Sequence, residues 1–505
     1  MQSLYCLLMN APLMNAGFNM LKPEIKRWHE ITYQPDSASL FARIAQRDWA
    51  VFLDSGQPGS QYGRYDIIAA DPFITISTQG SHTEITDSSG VHRSDADPFE
   101  LLKAAMQPCL AEVAEKYVKD GGSVESSSLA GLPFAGGAIG YFGYDLARRV
   151  EHLPEQAFDA EAIPQMMVGV YDWALVVDHR ERRSYLVSHE LHRDTQQKWG
   201  ALCALFDRPS RAPVTVFKLT SAVTSNMDLP QYSQAFERIK RYIVEGDCYQ
   251  VNLAQRFAAA AEGDAWQAYL QLRKISPAPF MAFMNFPGLQ VLSGSPERFL
   301  QVVGQHVETR PIKGTRPRSS NEAEDQANAG DLKASLKDRA ENLMIVDLLR
   351  NDIGKNCETG SVRADNLFKL ESFANVHHLV STVTGKLAPG KTAIDMLRGC
   401  FPGGSITGAP KLRAMQIIEE LEPNRRGLYC GAIGYIGFDG NMDTNIAIRT
   451  AIYSNNEIRF WAGGGIVADS EMHKEYRETL DKASSMLQLM QHFGGEFEGA
   501  GDVGR

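Results

Sequence analysis

Short apolar segments separated by turn residues dominate the first part of the chain. From about Trp28 to His189, β-branched and aromatic residues cluster in short runs, and Gly and Pro residues lie between the runs. This pattern predicts β-strands. The clearest runs are AVFLDS (50–55), DIIAA (66–70), FITIST (73–78) and MMVGVYDWALVVDH (166–179). One helix is predicted among them, near Pro98–Tyr117.

A different pattern follows a connection at residues 208–228. Asp228 is predicted to cap a helix that has Phe236, Ile239 and Ile243 on one face and ends at Gly246. Short strands come next, and helices mixed with strands continue to the end. Because strands and helices do not alternate as βαβ units, the pattern favours the α+β class.

The length of 505 residues suggests more than one unit, since domains usually hold roughly 100–200 residues. We expect an N-terminal region at 26–207, the connection at 208–228 and a catalytic region at 229–490. Residues 1–25 are expected to form an unpacked extension. The glycine-rich end, 491–505, is expected to be a flexible tail.

Acidic side chains share one face on each of two predicted helices. In the segment 337–354, Asp338 and Glu341 lie three residues apart, and in 470–490 Glu475, Glu478 and Lys482 fall on one stripe. Such carboxylates most often form a solvated surface. If the two acidic faces meet, however, they must share a cation, and oxygen ligands suit Mg²⁺.

Two glycine-rich segments can hold an anion. In FPGGSITGAPK (401–411), Thr407 is predicted to cap a helix that starts at Pro410. The motif lacks the Lys-Ser/Thr of a P-loop, so a nucleotide site is improbable. In WAGGGIVAD (461–469), three glycines let backbone amides approach a ligand. Arg449, predicted to lie within the strand IAIRTAIY (446–453), would bind either an anion or a structural carboxylate.

Lys313 stands in an unusual context, between Ile312 and Gly314 in PIKGT. Most lysines are solvated, but burial or a neighbouring positive charge can depress the pKa of a lysine enough for nucleophilic work. Glu297, in SPERF, would be a general acid if it is desolvated. His377 and His378 are predicted to face opposite sides of a strand.

Composition narrows the class of protein. The net charge is −10 without a long basic run, which argues against nucleic-acid binding. The seven scattered cysteines include no Cys-x-x-Cys pair, which indicates a reducing compartment. No stretch approaches the ~20 apolar residues of a membrane helix, and the N-terminus is a poor signal peptide. We therefore expect a cytoplasmic protein that contacts no membrane.

Taken together, the motifs resemble those of the chorismate-utilising enzymes, the family of anthranilate synthase component I. The similarity runs from about residue 28 to 490. It is densest in CYQVNLAQR, LSGSPERF, TRPIKGTRPR, KDRAENLMIVDLLRNDIG, HHLVSTVTG, FPGGSITGAPK and GGGIVADS. The resemblance implies an α+β fold in which antiparallel sheets form a sandwich, with helices packed outside and the site between the sheets.

Two positions indicate which branch of the family the chain resembles. The anthranilate synthases have alanine where Lys313 stands, so PIKGT favours the branch that aminates chorismate at C4. Isochorismate and salicylate synthases carry a lysine base where this chain has Gln250. That difference argues against attack by water at C2.

The resemblance also implies roles for individual residues. Mg²⁺ would be held mainly by Glu341 and Glu478, with Glu475 and Asp338 nearby or acting through water, although several relatives have Glu where Asp338 stands. The remaining contacts with chorismate are assigned as follows: the enolpyruvyl carboxylate to Arg449, Tyr435 and the amides of Gly464 and Gly465, the ring to Ser405 and Thr407, the C4 hydroxyl to His378, and the metal-bound carboxylate to Lys482.

The implied reaction is covalent. Lys313 attacks C2 while Glu297 protonates the departing C4 hydroxyl, and ammonia then attacks C4 and expels the lysine. The product would be 4-amino-4-deoxychorismate, used in p-aminobenzoate and folate biosynthesis. The chain has no recognisable Cys-His-Glu glutaminase module, so the ammonia is expected from a separate glutamine amidotransferase subunit, in a heterodimer.

Two rival functions stay open. The first is the large subunit of anthranilate synthase, which releases pyruvate and makes an aromatic product for tryptophan biosynthesis. The second is a non-catalytic regulator that binds tryptophan or chorismate. In related synthases, tryptophan is held by a segment like LDSGQPGSQYGRYD (53–66) together with one like SPAPFM (276–281).

Overall fold

The computed structural model describes residues 25–60, 63–119, 129, 131–208, 215–372 and 376–497. Within them, strands form two antiparallel sheets, and helices cover the outside. The expected extension lies outside the described residues up to residue 24, and so does the tail from residue 498. No helix in the described ranges is long and apolar enough to cross a membrane.

The first sheet has thirteen strands. They are β1 (Arg27–Ile31), β2 (Ala50–Asp54), β3 (Tyr65–Ala69), β9 (Trp173–Asp178), β10 (Arg183–Ser188), β11 (Phe217–Leu219), β12 (Thr224–Ser225), β13 (Gln250–Gly263), β14 (Phe280–Phe286), β15 (Leu289–Ser295), β21 (Gly408–Ala409), β24 (Thr450–Ser454) and β25 (Glu457–Ile466). Its main path runs β1-β10-β9-β3-β2-β14-β15-β24-β25-β13-β11.

The second sheet has twelve strands. They are β4 (Ile74–Gln79), β5 (His82–Asp87), β6 (Gly90–Ser94), β7 (Gly137–Phe142), β8 (Met166–Tyr171), β16 (Arg298–Val303), β17 (His306–Thr309), β18 (Ile312–Pro317), β19 (Arg363–Ser372), β20 (Val376–Lys386), β22 (Ala432–Gly437) and β23 (Met442–Ile446). Both sheets mix strands from the predicted N-terminal and catalytic regions, and β11 and β12, inside the predicted connection, pair with β13.

Ten α-helices are described. They are α1 (Ala38–Phe41), α2 (Pro98–Lys119), α3 (Arg193–Asp207), α4 (Leu229–Val244), α5 (Ala265–Ile275), α6 (Glu322–Ala334), α7 (Leu336–Gly354), α8 (Ala393–Cys400), α9 (Lys411–Leu421) and α10 (Met472–His492). The expected capping of α4 is present, because the Asp228 side chain accepts from Gln231 N and the Gln231 side chain accepts from Asp228 N.

Strand periodicity builds the core. In β2, Val51 packs in the cluster between the two sheets, whereas Ala50 and Phe52 belong to the cluster beneath the helices, because neighbouring side chains point to opposite faces. On the outer face, Phe41 of α1 stacks on Phe52 at 5.2 Å. The strand β2 is therefore covered by apolar side chains on both of its faces.

Two long apolar segments change sheet in the middle, which the sequence pattern did not predict. The run 166–179 breaks at Asp172 into β8 of the second sheet and β9 of the first. Likewise, the strand predicted over 446–453 is wrong, since β23 ends at Ile446 and β24 starts at Thr450 in the other sheet. Arg449 lies in that link with φ of 48°.

Candidate active site

Lys313 lies on β18, the edge strand that pairs with β20. Its Nζ is 3.2 Å from Glu341 Oε1 and donates to the carbonyl oxygen of Ser405 at 3.4 Å. Burial pushes the pKa of Lys313 down, but the carboxylates of Glu341, Glu297 and Glu478 outweigh burial and raise the pKa. The expected depression of this pKa is therefore absent in the chain by itself.

Glu297 immediately precedes β16 and is buried, with 9% of its surface exposed. Burial raises the pKa of Glu297 to about 7, against the opposing effect of Lys313, Lys482 and Arg449 and of a hydrogen bond from the backbone of Ile312. At neutral pH a substantial fraction of this carboxyl is protonated. A carboxyl with this pKa can donate a proton at neutral pH.

The helices α7 and α10 carry the four predicted acidic ligands. On α7, Glu341 contacts Lys313, and Asp338 pairs with Arg316 at 3.2 Å. On α10, Glu478 pairs with Lys482 at 2.7 Å. Glu478 also acts electrostatically on Lys313, so Lys313 lies between the acidic faces of the two helices.

Two carboxylates of α10 lie close to Gly464 of β25. A Cβ on Gly464 would lie 3.4 Å from Glu475 Oε2 and 3.6 Å from Glu478 Oε1. At Gly465 a Cβ would instead collide with the Gln250 amide. The two glycines therefore leave room for α10 and for Gln250 beside the strand.

The donor set fits Mg²⁺, although it does not form a closed cage. Among the described residues, no three His, Cys, Asp or Glu side chains are arranged to hold a metal ion by themselves. Mg²⁺ usually takes only one or two protein carboxylates and completes its octahedron with water and substrate oxygens. The oxygens of Glu475 and Glu478 that converge near Gly464 meet that requirement.

The glycine-rich loop differs from its prediction at Thr407. Its hydroxyl donates to the carbonyl oxygens of Gly403 and Gly404, both at 3.2 Å, and caps no helix. The predicted cap is wrong because Gly408 and Ala409 form β21, so that Pro410 becomes the N-cap and α9 starts at Lys411. Ser405 and Thr407 are both buried, and the carbonyl of Ser405 faces Lys313.

Arg449 is a half-buried cation without a protein partner. In the described ranges its guanidinium makes no ion pair or hydrogen bond, although Glu297 is an electrostatic neighbour. Burial lowers the pKa of Arg449. With its guanidinium unpaired in the described ranges, Arg449 can bind an anion.

His378 of β20 shares a hydrogen bond with the Thr315 hydroxyl at 3.0 Å, and burial lowers the pKa of His378 to about 4. His378 is therefore neutral at pH 7.

Tyr435 lies in a different place from its predicted partner Arg449. It belongs to β22 and lines a cavity of about 480 Å³, whose walls include Phe280, Met281 and Arg298 but none of Lys313, Glu297 and Arg449. Its ring packs against Phe134 at 5.3 Å. Tyr435 thus lies in the wall of this cavity, which we call the second cavity, and Arg449 is not among the residues that line it.

Two residues of the site, Gln250 and Ser470, were not assigned a contact at the sequence level. The Gln250 side chain is fully buried beside Gly465, and neither of its polar atoms has a hydrogen-bond partner in the described part of the chain. Ser470 donates to Glu475 Oε1 at 2.6 Å. No periodicity signals either residue, since Gln250 lies beside Gly465 of another strand and Ser470 is placed by the turn before α10 and by Lys240 of α4.

The fold and the acidic, lysine-containing site define a class of enzyme, and sequence comparison gives the same class. The profile described as "chorismate binding enzyme" matches residues 50–488. The chain belongs to this family, which confirms the resemblance. The predicted α+β fold is confirmed as well: anthranilate synthase component I from Streptococcus pneumoniae TIGR4, 33% identical, superposes with a TM-score of 0.72 and covers 85% of this chain and 93% of that one.

Particular relatives are more similar still. Aminodeoxychorismate synthase component 1 of Escherichia coli (strain K12) is 46% identical over 462 residues, which cover 91% of this chain and 98% of the relative. Anthranilate synthase component 1 of Acetivibrio thermocellus is 35% identical over 474 residues, which cover 90% and 93%. The chain is thus more similar to this aminodeoxychorismate synthase component than to this anthranilate synthase.

Proposed function

We propose that the chain aminates chorismate to 4-amino-4-deoxychorismate, in p-aminobenzoate and folate biosynthesis. The observation that carries the proposal is the position of Lys313, whose amine lies 3.2 Å from Glu341 in the family's acidic site. The resemblance puts alanine there in the anthranilate synthases. The higher identity to an aminodeoxychorismate synthase component supports the same choice.

The substrate would be held by charge. Chorismate carries two carboxylates, and among the described residues the guanidinium of Arg449 makes no ion pair or hydrogen bond, with Glu297 as an electrostatic neighbour. We assign the enolpyruvyl carboxylate to Arg449 and the amides around Gly464 and Gly465, and the ring carboxylate to the end of the site near Glu341, Glu475 and Glu478. Mg²⁺ bound by these carboxylates would offset the negative charge there. Lys482, paired with Glu478, assists at the same end.

The reaction then proceeds in two substitutions. After Lys313 has released its proton to solvent, its neutral amine bonds to C2, the double bonds shift, and the C4–O bond breaks as the Glu297 carboxyl protonates the hydroxyl to water. Ammonia bonds to C4, the double bonds return, and the C2–N bond to Lys313 breaks. The proton released by the new amine returns to the Glu297 carboxylate, which restores the acid.

Ammonia would come from a glutamine amidotransferase subunit. The name "component 1" of the relatives implies a second component. We place the enzyme in the cytoplasm. The six cysteines within the described ranges are free, which is compatible with a reducing compartment. We also propose that residues 26–207 and residues 229–490 form two functional regions.

A single assay tests the function. The purified chain is incubated with chorismate, Mg²⁺ and an ammonium salt, and the products are separated by chromatography. We expect 4-amino-4-deoxychorismate. Anthranilate and pyruvate would instead assign the chain to the first rival function, and the absence of turnover would leave only a binding role.

The pH dependence of the first substitution should follow Glu297. A general acid acts only while protonated, and the pKa of Glu297 is raised to about 7 by burial. We therefore expect kcat/KM to fall as the pH rises through about 7, measured with the concentration of free NH₃ held constant. Glu297→Gln should slow the reaction by about 10²–10⁴-fold and remove this decrease of kcat/KM with pH.

Glu308→Gln is the matched control for that variant. Glu308 lies on β17 and pairs with Arg298 at 3.3 Å rather than with the site. Its activity and pH profile should equal those of the wild type. If the Glu297→Gln enzyme keeps both the wild-type rate and the decrease of kcat/KM near pH 7, Glu297 is excluded as the acid.

The second cavity supports an additional binding function. The two segments that the resemblance linked to tryptophan meet there: Leu53, Asp54 and Ser55 come from one, and Phe280 and Met281 from the other. A volume of about 480 Å³ lies in the usual range of small-molecule sites. We propose that this cavity binds tryptophan.

Calorimetric titration with tryptophan tests this function. We expect saturable binding to the wild type and no binding to Ile433→Trp, because Ile433 of β22 lines the cavity and the larger ring would occupy it. Val91→Trp, at an exposed site on β6, is the control and should bind normally. A wild type that binds no tryptophan would remove this second function.

A further inference from the structure

Ser470 occupies a turn that several contacts hold in place before α10. The turn 467–470 closes with a hydrogen bond from Ser470 N to Val467 O at 3.1 Å. Lys240 of α4 donates from its Nζ to the carbonyl oxygens of Val467, Ala468 and Ser470. The position of Ser470 is therefore fixed by an element outside α10.

The hydroxyl of Ser470 links this turn to one oxygen of Glu475. It accepts from Val467 N at 3.1 Å and donates to Glu475 Oε1 at 2.6 Å, and both side chains are buried. With Oε1 held by Ser470, the other oxygen, Oε2, is the one that approaches Gly464. The hydrogen bond to Oε1 thus leaves Oε2 as the oxygen directed toward Gly464, near which Glu478 Oε1 also lies.

This bond acts against electrostatic repulsion. Glu475 and Glu478 are like charges on neighbouring turns of α10; burial raises the pKa of Glu475, and the charge of Glu478 raises it further. A glutamate side chain has several rotamers, and repulsion favours those that turn Glu475 away from Glu478. The charge-assisted bond from Ser470 opposes that rotation.

We propose that Ser470 is a positioning residue, which orients Glu475 Oε2 toward Glu478 so that the two carboxylates can bind a divalent cation together. The inference rests on the proposed function, since it concerns the Mg²⁺ site assigned there. It adds a residue that touches neither the cation nor the substrate and acts only through Glu475.

A simple structural role predicts a different outcome. The N-cap of α10 is Glu471, whose side chain caps no backbone N–H, so Ser470 could serve only to stabilise the start of the helix. In that case Ser470→Ala lowers the thermal stability and leaves the affinity for Mg²⁺ unchanged. A positioning role requires the affinity itself to change.

The experiment is a calorimetric titration of the full chain with MgCl₂, in the absence of chorismate and ammonia. For Ser470→Ala we expect the Kd for Mg²⁺ to rise about 10- to 100-fold, the usual effect of losing a partner that orients a metal ligand. Ser470→Thr keeps the hydroxyl and should restore the wild-type Kd. If Ser470→Ala does not fold, Ser470→Cys replaces it, because a thiol keeps a similar size but donates weakly.

Ser188 provides a closely matched control. It is also buried, accepts from the backbone N–H of Glu190 at 2.9 Å and donates to the carboxylate of Asp172 at 3.4 Å, but it lies on β10. Ser188→Ala should bind Mg²⁺ as tightly as the wild type. Circular dichroism and thermal unfolding of each variant show whether it is folded.

The outcomes separate this inference from the proposed function. If the wild type binds Mg²⁺ and Ser470→Ala binds it equally well, the role of Ser470 is overturned and the metal site stands. If the wild type binds no Mg²⁺, the metal site fails, and the role of Ser470 fails with it. If Ser470→Ala binds Mg²⁺ more weakly and Ser470→Thr binds it as tightly as the wild type, both the metal site and the role of Ser470 are supported.

Discussion

Lys313→Ala should slow amination of chorismate by roughly three orders of magnitude or more, because the variant loses the nucleophile of the covalent route. Lys313 lies between Glu341 and Ser405, and no other lysine amine lies within 4 Å of Glu341 in the described ranges. Initial rates with chorismate, Mg²⁺ and an ammonium salt measure the loss. Intact-protein mass spectrometry without ammonia should show a substrate adduct on the wild type and none on the variant.

Lys103→Ala is the matched control for this variant. Lys103 is also a partly buried lysine in an ion pair, with Asp395 at 2.8 Å, but it lies on α2. Its rate and its adduct should equal those of the wild type. Full ammonia-dependent activity of Lys313→Ala would rule out the covalent route while leaving the acidic site intact.

Glu478→Gln should abolish activity together with its dependence on Mg²⁺. Glu478 is one of the two carboxylates that converge near Gly464, and an amide is a much weaker ligand for a hard cation. We expect the rate to fall by at least about 100-fold, since even partners of metal ligands contribute about 10- to 100-fold. The rate is measured as a function of Mg²⁺ concentration.

Asp481→Asn separates this effect from a general loss of charge on α10. Asp481 lies on the same helix and is exposed, so its variant should show the wild-type Mg²⁺ titration. An unchanged titration in Glu478→Gln would remove Glu478 from the site and leave Glu341 and Glu475 as the remaining carboxylates.

Most elements could be predicted because their local patterns agree with their surroundings. The strand β2 alternates between two apolar layers, and α4 carries both a capping box and an apolar face. The acidic residues of α7 and α10 were recognised from their helical spacing and the family motifs. Only the structure shows that Lys313 lies between the two helices.

The errors share a physical cause, which is that local patterns do not report tertiary partners. The segments around Asp172 and Arg449 are mostly apolar apart from these two residues, because each segment leaves one buried sheet and enters another, and periodicity does not change at the crossing. Threonine is a common helix N-cap, but Thr407 caps no helix because Gly408 and Ala409, which follow it, pair with β13.

Glu297 and Arg298 are neighbours in the chain, yet Glu297 belongs to the acidic site and Arg298 to the wall of the second cavity. A strand that shifts by one residue exchanges the faces of all its side chains. A single-residue insertion or deletion just before Glu297 would therefore send the guanidinium toward Lys313 and the carboxyl toward the other compartment. Lineages of this enzyme should accordingly tolerate substitutions along β16 but keep the spacing between Ser295 and Arg298 constant.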